Sequence, residues 1–239
     1  MSHLQTRDGV RLRFSDRGDG HGAPAIVLVH GWKGSHRLWD SVSARLESSH
    51  RVIAFDLRGM GESDKPRGRY DFGELSGDLA FVLKALEVRD FVLVGWSMGC
   101  TVALHYLGRG GAGATGLVLV NGPLRLTRTV DFPHAMAPAE LQGHLARLLD
   151  GWPATEREFQ AQTVLDPDPA LVDWLYGIAL QTPLDVALRV VREQAKLDMR
   201  ARWCRGLRCR CSPSIRDTIP TIRSRWRMTS RRAHRTAGG

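Results

Sequence analysis

Apolar and polar positions over the first two hundred residues alternate between two kinds of stretch. Four unbroken apolar runs, at 25–29, 52–55, 91–94 and 117–120, have the length of strands and no polar face. Such runs suit parallel strands covered on both sides. Between them, 36–46, 75–86 and 98–107 space their apolar residues by three and four, which predicts helices burying one face, and Gly108 ends the last of these. Upstream, residues 3–6 and 10–15 flank Asp8-Gly9, a dipeptide that favours a tight turn, so an opening β-hairpin is predicted. Strand and helix in regular alternation predict an α/β fold with a doubly wound, mostly parallel sheet.

The pattern changes after Asn121-Gly122-Pro123. Leu- and Trp-rich stretches of helical spacing follow, broken at Pro133, Pro138, Pro153, Pro167, Pro169 and Pro183. They predict a helical cap inserted over roughly 124–190, whose apolar side chains are ordinary helix packing that also shapes a pocket. A second break comes at residue 203. The expected organisation is one domain over 1–202, including the cap, followed by a non-native or disordered tail over 203–239. The composition, 43% hydrophobic and 25% charged, is that of an ordinary globular protein.

Charge sharpens the second break. The formal net charge of +9 would point to nucleic acid or an acidic membrane surface if it were spread along the chain. Instead residues 203–239 hold ten arginines against one acid, Asp217, while the other 202 residues hold 24 basic and 24 acidic side chains. The whole excess lies in the tail. Arginine without lysine and few aromatics make that tail a poor nucleic-acid arm. No apolar run is long enough to span a membrane, and the start of the chain has no basic-then-apolar leader, so a cytoplasmic protein without a membrane partner is expected. Cys204, Cys209 and Cys211 match neither a C-x-x-C pair nor a zinc pattern, and Cys100 reads as a buried, inert thiol. No metal is expected.

Three motifs carry chemistry. Gly95-Trp96-Ser97-Met98-Gly99 follows the apolar strand at 91–94 and opens a helical stretch. In that context G-x-S-x-G forms a sharp strand-to-helix turn that lifts the serine hydroxyl above the sheet, and Ser97 is the expected nucleophile. Acyl transfer also needs backbone N–H donors for the developing oxyanion, and the expected pair is the amide of Met98, after the nucleophile, with that of Trp32 in His30-Gly31-Trp32. His30 itself reads as structural. Asp56-Leu57-Arg58-Gly59-Met60-Gly61-Glu62-Ser63 reads as a glycine-rich turn tied by side-chain hydrogen bonds, rather than as an acid or metal site at Asp56 or Glu62.

In this order and at these separations, the three stretches resemble the α/β-hydrolase superfamily over roughly residues 3–202. Gly-Trp-Ser-x-Gly with His-Gly-Trp is similar to carboxylesterases, including the carrier-protein methyl esterases of biotin synthesis, and to cofactor-free haloperoxidases and perhydrolases. Serine rather than aspartate at position 97 disfavours the dehalogenase and epoxide-hydrolase branches. The resemblance implies an enzyme that needs no cofactor and cleaves a small or medium ester through an acyl-enzyme.

The family pattern then fails. It places an acid after a later strand and a histidine further on, yet neither element is present, and Asn121 stands at the other family position for the acid. Asp217 and His234 are weak candidates in Arg-rich surroundings, and His105 and His144 sit inside helical stretches. The tail's bias toward Arg, Cys, Ser and Pro is what a G/C-rich gene yields out of frame. Read in another frame, Ser212 to Arg223 can encode Leu-Ala-Val-His-Ser-Arg-His-Asp-Thr-Tyr-Asp-Pro, an apolar strand followed by a loop close to the family's acid loop. On that reading the lost Asp spans the codons of Thr218 and Ile219, the histidine lies beyond the chain's end, and the fold is incomplete at the C-terminus. Two expectations stand side by side, an active serine esterase or a catalytically impaired product of a frameshifted gene, with a cofactor-free haloperoxidase or perhydrolase as a minor alternative. Oligomeric state has no signature in the sequence.

Overall fold

A computed structural model describes residues 2–20 and 22–200. Strands β1 (His3–Gln5) and β2 (Arg11–Arg17) pair antiparallel as an opening hairpin. Its turn closes through the Gly9 N–H on the Thr6 carbonyl at 3.0 Å, and Gly9 supplies the required positive φ of 85°. Strands β3 (Ala25–Val29), β4 (Val52–Phe55), β5 (Phe91–Trp96) and β6 (Ala114–Val120) continue the sheet in the order β1-β2-β4-β3-β5-β6. β2 meets β4 antiparallel, and β4, β3, β5 and β6 run parallel. The first two runs coincide with β3 and β4. The third continues two residues further, and the fourth begins three residues earlier, at an Ala-Thr-Gly segment that carries no apolar signal.

Alternation along the strands divides the core between two faces. Val27, Val29, Ile53, Phe55 and Leu93 face α2 (Phe72–Ala85) and α3 (Met98–Gly108), which bring Leu75, Leu79, Val82, Val102 and Ala103 into one cluster. Leu28, Val52 and Ala54 lie on the other face with Trp39 and Leu46. The stretch predicted as one helix over 36–46 is two elements, a 3-10 turn at His36–Trp39 and then α1 (Asp40–Leu46). Ser35 starts the turn by accepting the Arg37 N–H, so the first four residues wind more tightly. Asp71 caps α2 through the Glu74 N–H, which sets its start three residues before the apolar periodicity begins.

Helices α4 (Pro138–Gly151), α5 (Ala154–Thr163), α6 (Pro169–Ala179) and α7 (Leu184–Ala195) follow the sheet. Their apolar stripes build a second cluster from Leu141, Leu145, Leu148, Leu188 and Val191. The opposite stripe of α7 puts Val186 and Val190 into the sheet's own cluster. α7 is thus shared by both layers, and the Gln194 amide donates to the Thr101 hydroxyl of α3 at 2.9 Å. The strands were expected to be covered on both faces, but β6 departs from this: it is the last strand of the described sheet, and Val118 and Val120 are 45% and 40% exposed. Among the described residues no helix is long and apolar enough to cross a membrane.

Candidate active site

The chain runs from β3 to β4 on one side, then crosses to β5 on the other side of β3. Strand order reverses there, and the crevice beyond the carboxyl ends of β3 and β5 is where open parallel sheets bind ligands. The register sets Val29 beside Gly95, so the loop after β3 and the turn after β5 leave the sheet side by side.

Ser97 is the turn. Its backbone lies at φ 52°, ψ −119°, a region costing a side chain on the order of 1–3 kcal/mol. Packing holds it there. A Cβ at Gly95 would lie 2.6 Å from the Gly99 carbonyl oxygen, and one at Gly99 would lie 2.3 Å from that of Val29, so only glycines let helix and strands approach this closely. The Ser97 N–H donates to the Val120 carbonyl at 2.9 Å, and the Ser97 carbonyl accepts the Cys100 N–H at 3.0 Å. The serine caps α3 and is partly exposed, at the positive end of an almost wholly buried helix.

The loop after β3 lies against this turn, for a Cβ at Gly31 would sit 3.1 Å from the Ser97 Cβ. His30 fixes the loop from below. Its Nε2 accepts the Leu57 N–H at 3.0 Å, so the proton is on Nδ1, which donates to the Gly31 carbonyl at 2.8 Å. Complete burial holds this imidazole below its ordinary pKa, and it stays neutral. Gly34 closes the turn onto Gly31 at 3.1 Å, a bond that does not consume the Trp32 amide. Met98, as the first residue of α3, presents one of the helix's unpaired N–H groups. Trp32 also donates its indole N–H to the Ala187 carbonyl of α7 at 2.9 Å and packs against both apolar clusters.

One feature of this loop has no signal in the sequence. Lys33, at φ 55°, is buried and ion-paired with Glu156 of α5, which is equally buried. The ammonium also lies 3.9 Å from the Trp32 ring centroid and 4.6 Å from that of Phe159. Burial pulls the lysine below its ordinary pKa while the Glu156 charge opposes the shift.

The other groups weighed for chemistry are placed as follows. Asp56 accepts N–H bonds from His36 at 2.5 Å and Glu62 at 2.7 Å and meets the His36 ring at 2.8 Å. Ser63 donates to the Asp56 carbonyl at 2.6 Å, and these bonds tie the 56–63 turn together. His105 bonds the Ser76 hydroxyl at 2.8 Å, and His144 of α4 packs at a tilt against Trp32 and Phe159. Burial pushes the Cys100 thiol up to about 11, and it donates to the Gly95 carbonyl at 3.0 Å. Asn121 follows β6 on the exposed surface at φ 48°. Asp217, His234, Cys204, Cys209 and Cys211 lie outside the described residues. Among the described residues no group of three metal-ligating side chains occurs.

A sheet reversed at β3, with a strained serine beyond β5 and a glycine-linked loop beside it, defines a class of enzyme, and the chain belongs to the α/β-hydrolase fold family, which it matches over residues 24–171. The AB hydrolase superfamily protein YisY of Bacillus subtilis strain 168 is 28% identical over 186 residues, spanning 76% of this chain and 68% of the relative. Two solved structures carry the likeness into three dimensions. A bromoperoxidase from Bacillus anthracis superposes with a TM-score of 0.75 at 26% identity, covering 84% of this chain and 76% of the other. An esterase from Rhodococcus sp. ECU1013 gives 0.67 at 29% identity, covering 79% and 71%.

Proposed function

We propose that the protein is a carboxylesterase-type serine hydrolase acting on a small or medium ester. The observation that carries this reading is the Ser97 turn, held at positive φ by close-packed glycines and abutting the Gly31 loop. In the proposed reaction the Ser97 hydroxyl attacks the ester carbonyl, and its proton passes to a general base. The tetrahedral oxyanion takes the Trp32 and Met98 N–H groups, the alcohol leaves with a proton, and water then hydrolyses the acyl-serine to acid and free enzyme. The helices over 124–190 act as the cap that shapes the substrate's pocket. Likeness to the Rhodococcus esterase supports this chemistry.

A fluorophosphonate tests it. The probe is expected to label Ser97, and Ser97→Ala should abolish labelling and lower p-nitrophenyl acetate turnover by about 10⁴-fold or more. Labelling that survives the substitution would sink the assignment.

A second reading rests on the base. His30, His36 and His105 are bonded to Leu57, Asp56 and Ser76, His144 packs against Trp32 and Phe159, and Asn121 stands where an acid would serve. On this reading the chain is a frameshifted, impaired product in which 203–239 takes no part in catalysis. Turnover by the full chain no faster than that of Ser97→Ala, with one inserted or deleted base near codons 200–203, is its expected signature. A third outcome follows from the Bacillus anthracis bromoperoxidase: hydrogen peroxide in place of water would convert the acyl-serine to a peracid. Peroxide-dependent bromination in acetate buffer would mark that branch.

A further inference from the structure

Lys33 and Glu156 are 123 residues apart, in the loop after β3 and in helix α5, and both side chains are fully buried. A buried ion pair is a poor source of stability, because the desolvation of two charges offsets most of their attraction. Its surroundings are nevertheless built to hold it. The Gln160 amide donates to the second Glu156 oxygen at 2.7 Å, so the carboxylate is bonded on both sides. The ammonium is enclosed by the faces of Trp32 and Phe159, whose ring centroids are 6.2 Å apart, and His144 closes the aromatic cluster 5.5 Å from Phe159. Lys33 reaches this site from a left-handed backbone conformation, directly after the residue whose amide the proposed mechanism uses.

We infer that the Lys33–Glu156 pair is a latch by which the cap helix α5 fixes the turn at residues 31–34 and thereby sets the direction of the Trp32 amide. The two are positioning residues; neither touches the reacting atoms. The inference rests on the proposed role of Trp32 as oxyanion donor. The Trp32 N–H belongs to the Gly31–Trp32 peptide, whose carbonyl accepts from His30 Nδ1 at 2.8 Å and from the Gly34 N–H at 3.1 Å, while the Trp32 indole is anchored on α7. The Gly34 bond closes across Lys33, so the latch holds this turn from its downstream side, and an error of about 1 Å in such a donor costs on the order of a hundredfold in rate.

Hydrogen–deuterium exchange and covalent capture, both on the full chain, test the latch. In Glu156→Gln and in Lys33→Met, peptides spanning 30–34 should exchange at least tenfold faster than in wild type, with β5 peptides unchanged. The maximal rate of Ser97 capture by the fluorophosphonate should fall at least tenfold, while the concentration giving half-maximal capture stays within twofold. The donor acts on charge that appears only as the bond forms, so binding before that step is spared.

Either single variant leaves one charge buried alone and can unfold the protein. Lys33→Met/Glu156→Leu removes both charges with apolar side chains, so its thermal midpoint is expected to return to within a few degrees of wild type. Exchange at 30–34 should remain raised in it, and capture should remain slow. A folded double variant that matches wild type in both would overturn the latch, leaving the pair as packing alone, as would unchanged exchange in both single variants. If wild-type Ser97 is not captured at all, the active-esterase reading of this chain fails, and exchange alone then decides the latch.

Discussion

At Ser97 the backbone angle and the side chain make opposite demands. Glycine would occupy φ 52° without strain, yet the proposed attack needs a hydroxyl. Ser97→Gly is therefore expected to stabilise the fold by about 1 kcal/mol, read as a rise of a few degrees in thermal midpoint, while removing all fluorophosphonate labelling. A loss of stability would mean that the turn is not strained. This residue was legible because its motif is local, five positions between a strand and a helix. Lys33 and Glu156 were not, because nothing in a lysine's neighbours along the chain announces that it meets a carboxylate from another layer.

Among the elements, stability is tied to a few buried charges. Arg58, in the turn after β4, grips Asp78 of α2 through two bonds of 2.6 Å, and that carboxylate, with burial opposing, holds the guanidinium well above its ordinary pKa. Asp78→Ala would leave a buried guanidinium with only the half-exposed Asp8 and Glu74 nearby, so a loss of about 3–5 kcal/mol in urea unfolding is expected. Acid acts through the histidines. His30 and His144 are held below their ordinary value of 6.5, each first by burial, with Lys33 and Arg147 adding to the effect at His144. Below about pH 6.5 the unfolded chain takes up protons that the fold refuses, so stability falls as pH drops. Urea unfolding at pH 7.5 and 5.5 should show this loss, and His144→Gln should reduce it. Element positions were legible wherever an unbroken apolar run marked the element, as in β3 and β4. They slipped where a cap or an edge decided, as at Asp71 before α2 and at the polar start of β6.

The molecule as a whole follows from the alternation of strands and helices, since four apolar runs with helices between them admit few arrangements. The sequence did not show how β6 would lie, because its apolar run looks like the other three. Val118 and Val120 leave apolar surface of β6 exposed. Val118→Lys is expected to lower light scattering on storage without shifting the thermal midpoint by more than a degree or two; unchanged scattering would place the aggregating surface elsewhere. The candidate site divides in the same way. The proposed nucleophile and oxyanion loop rest on local motifs, whereas the latch depends on layers that meet only after folding.

Helix α7 has a consequence for the order of assembly. Val186 and Val190 close the same cluster that Leu12 and Val27 begin, so the sheet's interior is incomplete until the ribosome has released nearly two hundred residues. A nascent chain halted before α7 exposes that gap to chaperones and proteases. Once α7 has emerged, Val186 and Val190 fill that gap.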